Sequence, residues 1–258
     1  MYIHMEAKMV QPFGNSGHVI LPKEYVGKRM RFLVEPKTIQ DVKEELFQML
    51  LPHIEKVEGV YLYGSYARNE QTASSDVDAL ILASEKFPLP KKQNYSILIL
   101  TKEELEAAIE KRPILILPII REAKGLLHGA YLERYKEMPL KKTAIIKFLD
   151  ETAKILAINR QGAALSFETG SLVYSLILRI RSMVIIQCLL QRQPYSKNEL
   201  YSILEKGGLS KVQVNEAYAI YANEREGRKV GASRLIRERE IRKLLTLAGR
   251  LIEEVKAA

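Results

Sequence analysis

Between residues 57 and 100 the apolar positions come in short unbroken runs, Val57 to Tyr63, Val77 to Leu82 and Tyr95 to Leu100. Runs of that length, rich in β-branched and aromatic residues and bounded by polar segments, predict buried strands. Just before them, Val42, Leu46, Met49 and Leu50 share one face at helical spacing, which predicts a helix from Asp41 to Ile54. After them, Thr101 and Glu104 form a capping box that opens a further helix. The apolar stretch Ile114 to Ile120, interrupted by Pro118, predicts one more. Beyond Leu140 the helical period takes over, with helices expected over 142–159, 169–192, 197–206, 211–224 and 233–256. Ser196 with Glu199 and Ser210 with Gln213 read as N-terminal caps, and Gly207-Gly208 as a C-terminal stop. Helices of this length on short loops predict a bundle.

Ahead of residue 38 the pattern is different. Lys8 to Val10, His18 to Leu21 and Met30 to Val34 are β-like, separated by Pro12, Gly14, Asn15, Ser16 and Gly17 and then by Pro22 and Gly27. Three such strands in so short a segment bury little apolar area. The segment is therefore expected to pair with a second copy of itself or to pack on the neighbouring domain. The expected fold class is α+β in three parts. These are a small β-hairpin domain over 1–37, a mixed-sheet core with flanking helices over 38–140 and an all-α helical bundle over 141–258.

Composition narrows the setting. With 258 residues, 47% of them hydrophobic, the chain can build real cores. A single cysteine, Cys188, excludes a disulfide framework and a thiolate metal site, and points to a reducing compartment. The first residues lack a signal-peptide pattern, and the apolar run Ser182 to Leu190 is too short to span a bilayer. A cytoplasmic protein with no membrane partner is expected. The net charge of +9 divides unevenly. Residues 1–37 carry six Lys/Arg against three Asp/Glu, residues 38–140 thirteen against sixteen, and residues 141–258 twenty-one against twelve. An acidic middle between basic flanks fits a metal-binding centre between segments that attract polyanions.

The chemistry concentrates in Val60 to Leu82, VYLYGSYARNEQTASSDVDALIL. A strand runs into Gly64-Ser65 and a helix begins at once, so free backbone amides face whatever lies beyond the strand end and attract phosphate. Arg68, one turn in, is placed to reach a phosphate oxygen or to brace the loop. Asp76 and Asp78 start the next strand one residue apart and so share a face. Two carboxylates held together repel unless a cation sits between them, and Mg2+ (or Mn2+) suits them, completing its shell with water and triphosphate oxygens. The element Gly64-Ser65-x-x-Arg68 followed by Ser75-Asp76-x-Asp78 resembles the signature of the DNA polymerase β nucleotidyltransferase superfamily, most closely its minimal prokaryotic members. The resemblance implies phosphate binding by Gly64, Ser65, Arg68 and Ser75, catalytic and metal roles for Asp76 and Asp78, and a nucleoside triphosphate as substrate. Active members usually carry a third carboxylate on the next strand. Here Ser96 holds that position, and Asn94 to Leu100 contains no Asp or Glu.

The stretch Val10 to Glu24 resembles the swapped-hairpin DNA-binding domains of the AbrB/SpoVT/MraZ type, and more narrowly short archaeal transposon-encoded relatives. That resemblance implies a homodimer, with Lys8, Lys23, Lys28, Arg29 and Arg31 as candidate DNA contacts. The C-terminal helices resemble the HEPN-like domains that accompany minimal nucleotidyltransferases. The nuclease motif of that group needs a histidine, and the last one here is His128, ahead of the bundle, so ribonuclease activity is not expected. Arg179 and Arg181 lie in an apolar helix, where a structural ion pair or a triphosphate would account for them. The run Glu224 to Lys243, with eight Lys/Arg against four Glu, reads as a solvated face or a nucleic-acid surface. Two functions stand side by side. One is Mg2+-dependent transfer of a nucleoside monophosphate to RNA, protein or a small molecule. The other is a catalytically weak nucleotide-binding regulator that holds DNA through its N-terminal domain.

Overall fold

The computed structural model describes residues 8, 10–73, 75–165, 168–225, 227–228 and 233–258. The chain divides into two compact units, Met1–Glu35 and Pro36–Ala258.

In the first unit, strands β1 (Gln11–Phe13) and β2 (Ser16–His18) form an antiparallel hairpin. It turns at Gly14, whose φ of 56° suits glycine. A single 3-10 turn follows at Lys23–Tyr25. The hairpin lies a few residues from where periodicity predicts it, since Pro12 takes part in pairing and Val10 does not. Met9, within the first predicted strand, lies outside the described residues. Met30 to Val34 forms no strand, and Val10, Phe13, Ile20, Val26, Phe32, Leu33 and Val34 are all exposed. So short a segment has no second layer of its own to cover them.

The second unit begins with helix α1 (Ile39–Leu50), opened by a capping box between Thr38 and Asp41. The predicted continuation to Ile54 is instead a 3-10 stretch, Leu51–Lys56, because Pro52 removes a backbone donor. Next come β3 (Val57–Tyr63), the short helix α2 (Gly64–Arg68), β4 (Val77–Ala83) and β5 (Tyr95–Leu100). Helices α3 (Lys102–Lys111) and α4 (Pro113–Glu122) follow, then strand β6 (Lys124–Leu127) and the one-turn helix α5 (Glu133–Lys136). The four strands form a mixed sheet in the order β5-β4-β3-β6, with only β4 and β5 parallel. The burial of β3 and β4 on both faces explains their unbroken apolar runs. One apolar layer sets α1 under the sheet through Val42, Leu46 and Leu50, and another sets α3 and α4 over it through Leu105, Leu117 and Ile120. Pro118 sits inside α4 without ending it.

The remaining helices are α6 (Lys142–Ala164), α7 (Thr169–Leu190), α8 (Lys197–Lys206), α9 (Lys211–Arg225) and α10 (Glu238–Ala257). α7 is long and apolar enough to cross a membrane, with a mean hydropathy of 1.7, so the short run read from sequence understated it. It is mostly buried, however, at the centre of a core shared with α6, α8, α9 and α10. An element apolar all round belongs in the middle of a bundle. Ser196 caps α8 through the Glu199 amide, and Ser210 and Gln213 bond reciprocally at the start of α9.

Candidate active site

Strand β3 ends at Tyr63, and the chain turns at Gly64 with φ 71°, in the left-handed region. A Cβ at Gly64 would run into the Asp78 carboxylate, so both the backbone angle and the neighbour require glycine there. The antiparallel register sets Tyr63 opposite Asp78, and the parallel register sets Asp78 opposite Ser96. The carboxylates of Asp76 and Asp78 thus lie at the strand ends beside the Gly64 turn. Asp78 is largely buried. That burial, with the negative charges of Asp76 and Glu122, pushes its carboxyl up to about 6, while Arg225 and Arg68 pull it down. Burial and then Asp78 push the Tyr63 phenol up to about 12, while Ser96 hydrogen-bonds to it.

The Gly64 amide donates to Glu122 Oε1 at 2.8 Å, and Arg68 Nη1 donates to Glu122 Oε2 at 2.6 Å. Arg68 Nε also donates to Glu70 Oε2 at 2.8 Å, and Glu70 Oε1 accepts the Lys197 amide at the start of α8. One chain of bonds therefore runs from α4 through α2 to the helical bundle. The Tyr195 ring lies between two guanidinium groups, 5.5 Å from Arg68 and 5.2 Å from Arg181. Arg181 has aromatic neighbours, Tyr195, Tyr218 and Tyr221, and no carboxylate partner among the described residues, so the expected structural ion pair is not formed. Lys197 Nζ lies over the Tyr218 ring at 4.2 Å.

These groups line a cleft of about 880 Å3, between the sheet's strand ends and the bundle. It brings together Gly64, Ser65, Arg68, Ser75, Asp76 and Asp78 with Glu122, Arg181, Lys197, Tyr218 and Arg225. Ser75 Oγ accepts the Thr72 amide at 2.8 Å and so also fastens the loop ahead of Asp76. Lys23, Lys28, Arg29 and Arg31 lie in the first unit and line no part of the cleft. Among the described residues no group of three or more His, Cys, Asp or Glu is gathered to hold a metal. The Asp76/Asp78 pair still fits a divalent cation, because a buried carboxylate among like charges favours one, with the remaining ligands coming from phosphate and water.

Residues 44–134 match the family model described as "Polymerase beta, Nucleotidyltransferase". Two proteins of Methanocaldococcus jannaschii, each named "Putative protein adenylyltransferase", are 34% and 33% identical over 106 residues. That span is 40% of this chain and 96% of each relative. This chain belongs to the polymerase beta nucleotidyltransferase family. A third protein of that organism with the same name is 45% identical over 47 residues, 17% of this chain and 48% of its own. Residues 4–34 match "Putative transposon-encoded protein (DUF2080)". A spectinomycin adenyltransferase from Enterococcus faecialis, solved with ATP and spectinomycin, aligns over 83% of this chain and 99% of its own. Its TM-score of 0.47 and 14% identity are too low to carry an argument.

Several residues of this candidate site carried little signal in the sequence. Glu122 ends a helix of mixed pattern, and Tyr195 and Lys197 sit in a loop and at a helix start more than 120 residues from Gly64. Arg181, by contrast, was visible as a charge inside an apolar helix.

Proposed function

We propose that the chain transfers an adenylyl group from ATP, with Mg2+ (or Mn2+), to a hydroxyl of a protein. The observation that carries the reading is the anion seat at Gly64 and Arg68, formed next to Asp76 and Asp78. That seat grips the Glu122 carboxylate. A carboxylate held by a backbone amide and a guanidinium stands in for phosphate oxygens. Asp76 and Asp78 would hold the divalent ion, which when bound neutralises charge on the triphosphate. Ser65 and Ser75 line the same end of the cleft, and Arg181, Lys197 and Arg225 provide positive charge along the bundle side. The acceptor oxygen bonds to the α-phosphorus, the bond to the bridging oxygen breaks, and pyrophosphate leaves. The acceptor proton passes to a cleft carboxylate. Apart from Asp76 and Asp78, which would hold the ion, Glu151 is the carboxylate lining the cleft with no hydrogen-bonded partner among the described residues. The protein acceptor and the adenylyl group follow the names of the methanogen relatives.

The register that sets Ser96 opposite Asp78 favours a second reading, a nucleotide-binding regulator, because β5 supplies no third carboxylate. In either case residues 1–35 serve as a dimerising hairpin whose Lys23, Lys28, Arg29 and Arg31 contact DNA, supported by the transposon-family match and the uncovered apolar side chains. The test is incubation of the full chain with Mg2+ and each α-labelled nucleoside triphosphate, with protein and RNA acceptors, beside Asp76→Asn and Asp78→Asn. ATP-derived label on protein that both substitutions abolish supports transfer. Mg2+-dependent ATP binding without label supports the regulator. An absence of ATP binding overturns both.

A further inference from the structure

The cleft holds more positive charge than one nucleotide can use. Six of its lining cations, Lys111, Arg112, Lys147, Arg181, Lys197 and Arg225, have no carboxylate ion-pair partner among the described residues. Of its five acids, Asp76 and Asp78 form the metal pair, while Glu70 and Glu122 are engaged by Arg68. Only Glu151 is left.

The cations divide between two walls. Helix α7 packs against α4 and α6, which also pack on each other, and against α8 and α9, which do the same. On the α8/α9 wall are Lys197, Tyr218 and Arg225, with Tyr195 just ahead of α8. That wall adjoins the metal corner, because Arg225 is close enough to act on Asp78 and Tyr195 lies over Arg68. Arg181, on α7, lies against Tyr195 and belongs with it. A triphosphate anchored at Gly64 draws first on the wall that adjoins it, which leaves the charges of the opposite wall to another group.

The other wall runs from the α3–α4 junction to α6. It carries Lys111, Arg112 and Lys147, and between them Pro113, Ile114, Leu115 and Phe148. Leu115 is 59% exposed, an aliphatic side chain set beside two cations and left without cover. Resting on the reading of the chain as a protein adenylyltransferase, we infer that this wall seats the acceptor. The acceptor is an acidic, amphipathic polypeptide segment whose Asp or Glu side chains meet Lys111, Arg112 and Lys147. Its apolar side chains cover Leu115 and Phe148, and it delivers its hydroxyl to the metal corner past Glu151. A polycationic acceptor is repelled by three like charges against one carboxylate. The wall is mainly aliphatic and proline-lined, with Phe148 its one aromatic residue, so it offers no series of flat platforms for unstacked bases and favours peptide over a nucleic-acid strand.

The test uses the full-length protein with Mg2+ and α-labelled ATP. The acceptors are synthetic peptides with one Tyr, Ser or Thr flanked by Glu and Leu, by Lys and Leu, or by Gly and Ser, together with a short RNA. Nucleotide binding is measured separately by calorimetry. The expected result is kcat/KM at least tenfold higher for the acidic peptide than for the basic one. The triple variant Lys111→Glu/Arg112→Glu/Lys147→Glu should erase or reverse that preference while binding Mg2+·ATP as before. Equal labelling of the acidic and basic peptides, labelling of RNA in preference to peptide, or a preference unmoved by the charge reversal would overturn the inference. So would label on the RNA with no peptide labelled. Absence of Asp76/Asp78-dependent ATP binding, or ATP binding with no label on any acceptor, would instead strike the underlying reading, so calorimetry and the pattern of label together separate the two.

Discussion

At position 64 the backbone lies at φ 71° and the space where a Cβ would stand is taken by Asp78. Gly64→Ala therefore combines left-handed strain of about 1–2 kcal/mol with displacement of Asp78, the proposed metal ligand. It should lower the unfolding midpoint and remove Mg2+-dependent ATP binding, both readable by thermal unfolding with and without ligand. Asp78 presents the opposite balance. Its buried carboxylate sits among like charges, so Asp78→Asn should leave the metal-free protein at least as stable as the parent while abolishing label transfer. A site that loses activity and stability together in that variant would argue that Asp78 is structural. Glu122 competes for the seat that phosphate is expected to use. Glu122→Gln should then tighten ATP binding several-fold in calorimetry, at a cost of about 1–3 kcal/mol in stability from the weakened Arg68 pairing.

Among the elements, two junctions hold the site in place. Helix α1 is tied to β5 by Glu45, which receives Lys37, Lys92 and the Tyr95 hydroxyl. Burial alone would raise the Glu45 carboxyl, but these three bonds hold it down at about 2 against an ordinary 4.5. A depressed folded-state value means the contribution is present in full above pH 4.5 and is lost as pH falls toward 2. Urea midpoints of the parent and Glu45→Gln should therefore differ at pH 7, draw together below pH 4.5 and converge only as pH falls through about 2. The second junction is Glu70, which links Arg68 to the α8 amide end. These elements also mark the limits of periodicity. β3, β4 and α7 were legible because burial on all sides leaves unbroken apolar runs. β6 was missed because Lys124–Leu127 is short and carries a lysine and a glycine. Propensity alone predicts a third hairpin strand at Met30 to Val34, but a strand also needs a pairing edge, which propensity does not supply.

For the whole molecule, two units with unlike surfaces should separate in function. Residues 1–35 leave apolar side chains uncovered, whereas residues 36–258 close around their own cores. Removal of residues 1–35 is expected to convert a dimer to a monomer in light scattering and to abolish DNA retention, while ATP binding persists. A truncated chain that remains dimeric would place the interface in the second unit.

The local parts of the site could be read along the chain. Gly64, Asp76 and Asp78 were readable because a strand, a turn and a two-residue spacing fix their geometry within some twenty positions, and no distant contact is needed. Ser96 was readable only through the family resemblance, as the residue standing where a third carboxylate is usual, and its place opposite Asp78 came from the parallel pairing of β4 and β5. Tertiary structure alone decided that Arg68 is held between Glu70 and Glu122, that Arg181 rests on Tyr195 and forms no ion pair with a carboxylate, and that α8 and α9 close the cleft. Each of those depends on which helix faces meet across long sequence separations. Amphipathic patterns say that a face is buried without saying against what, so the partners of a charge inside the fold are set by packing.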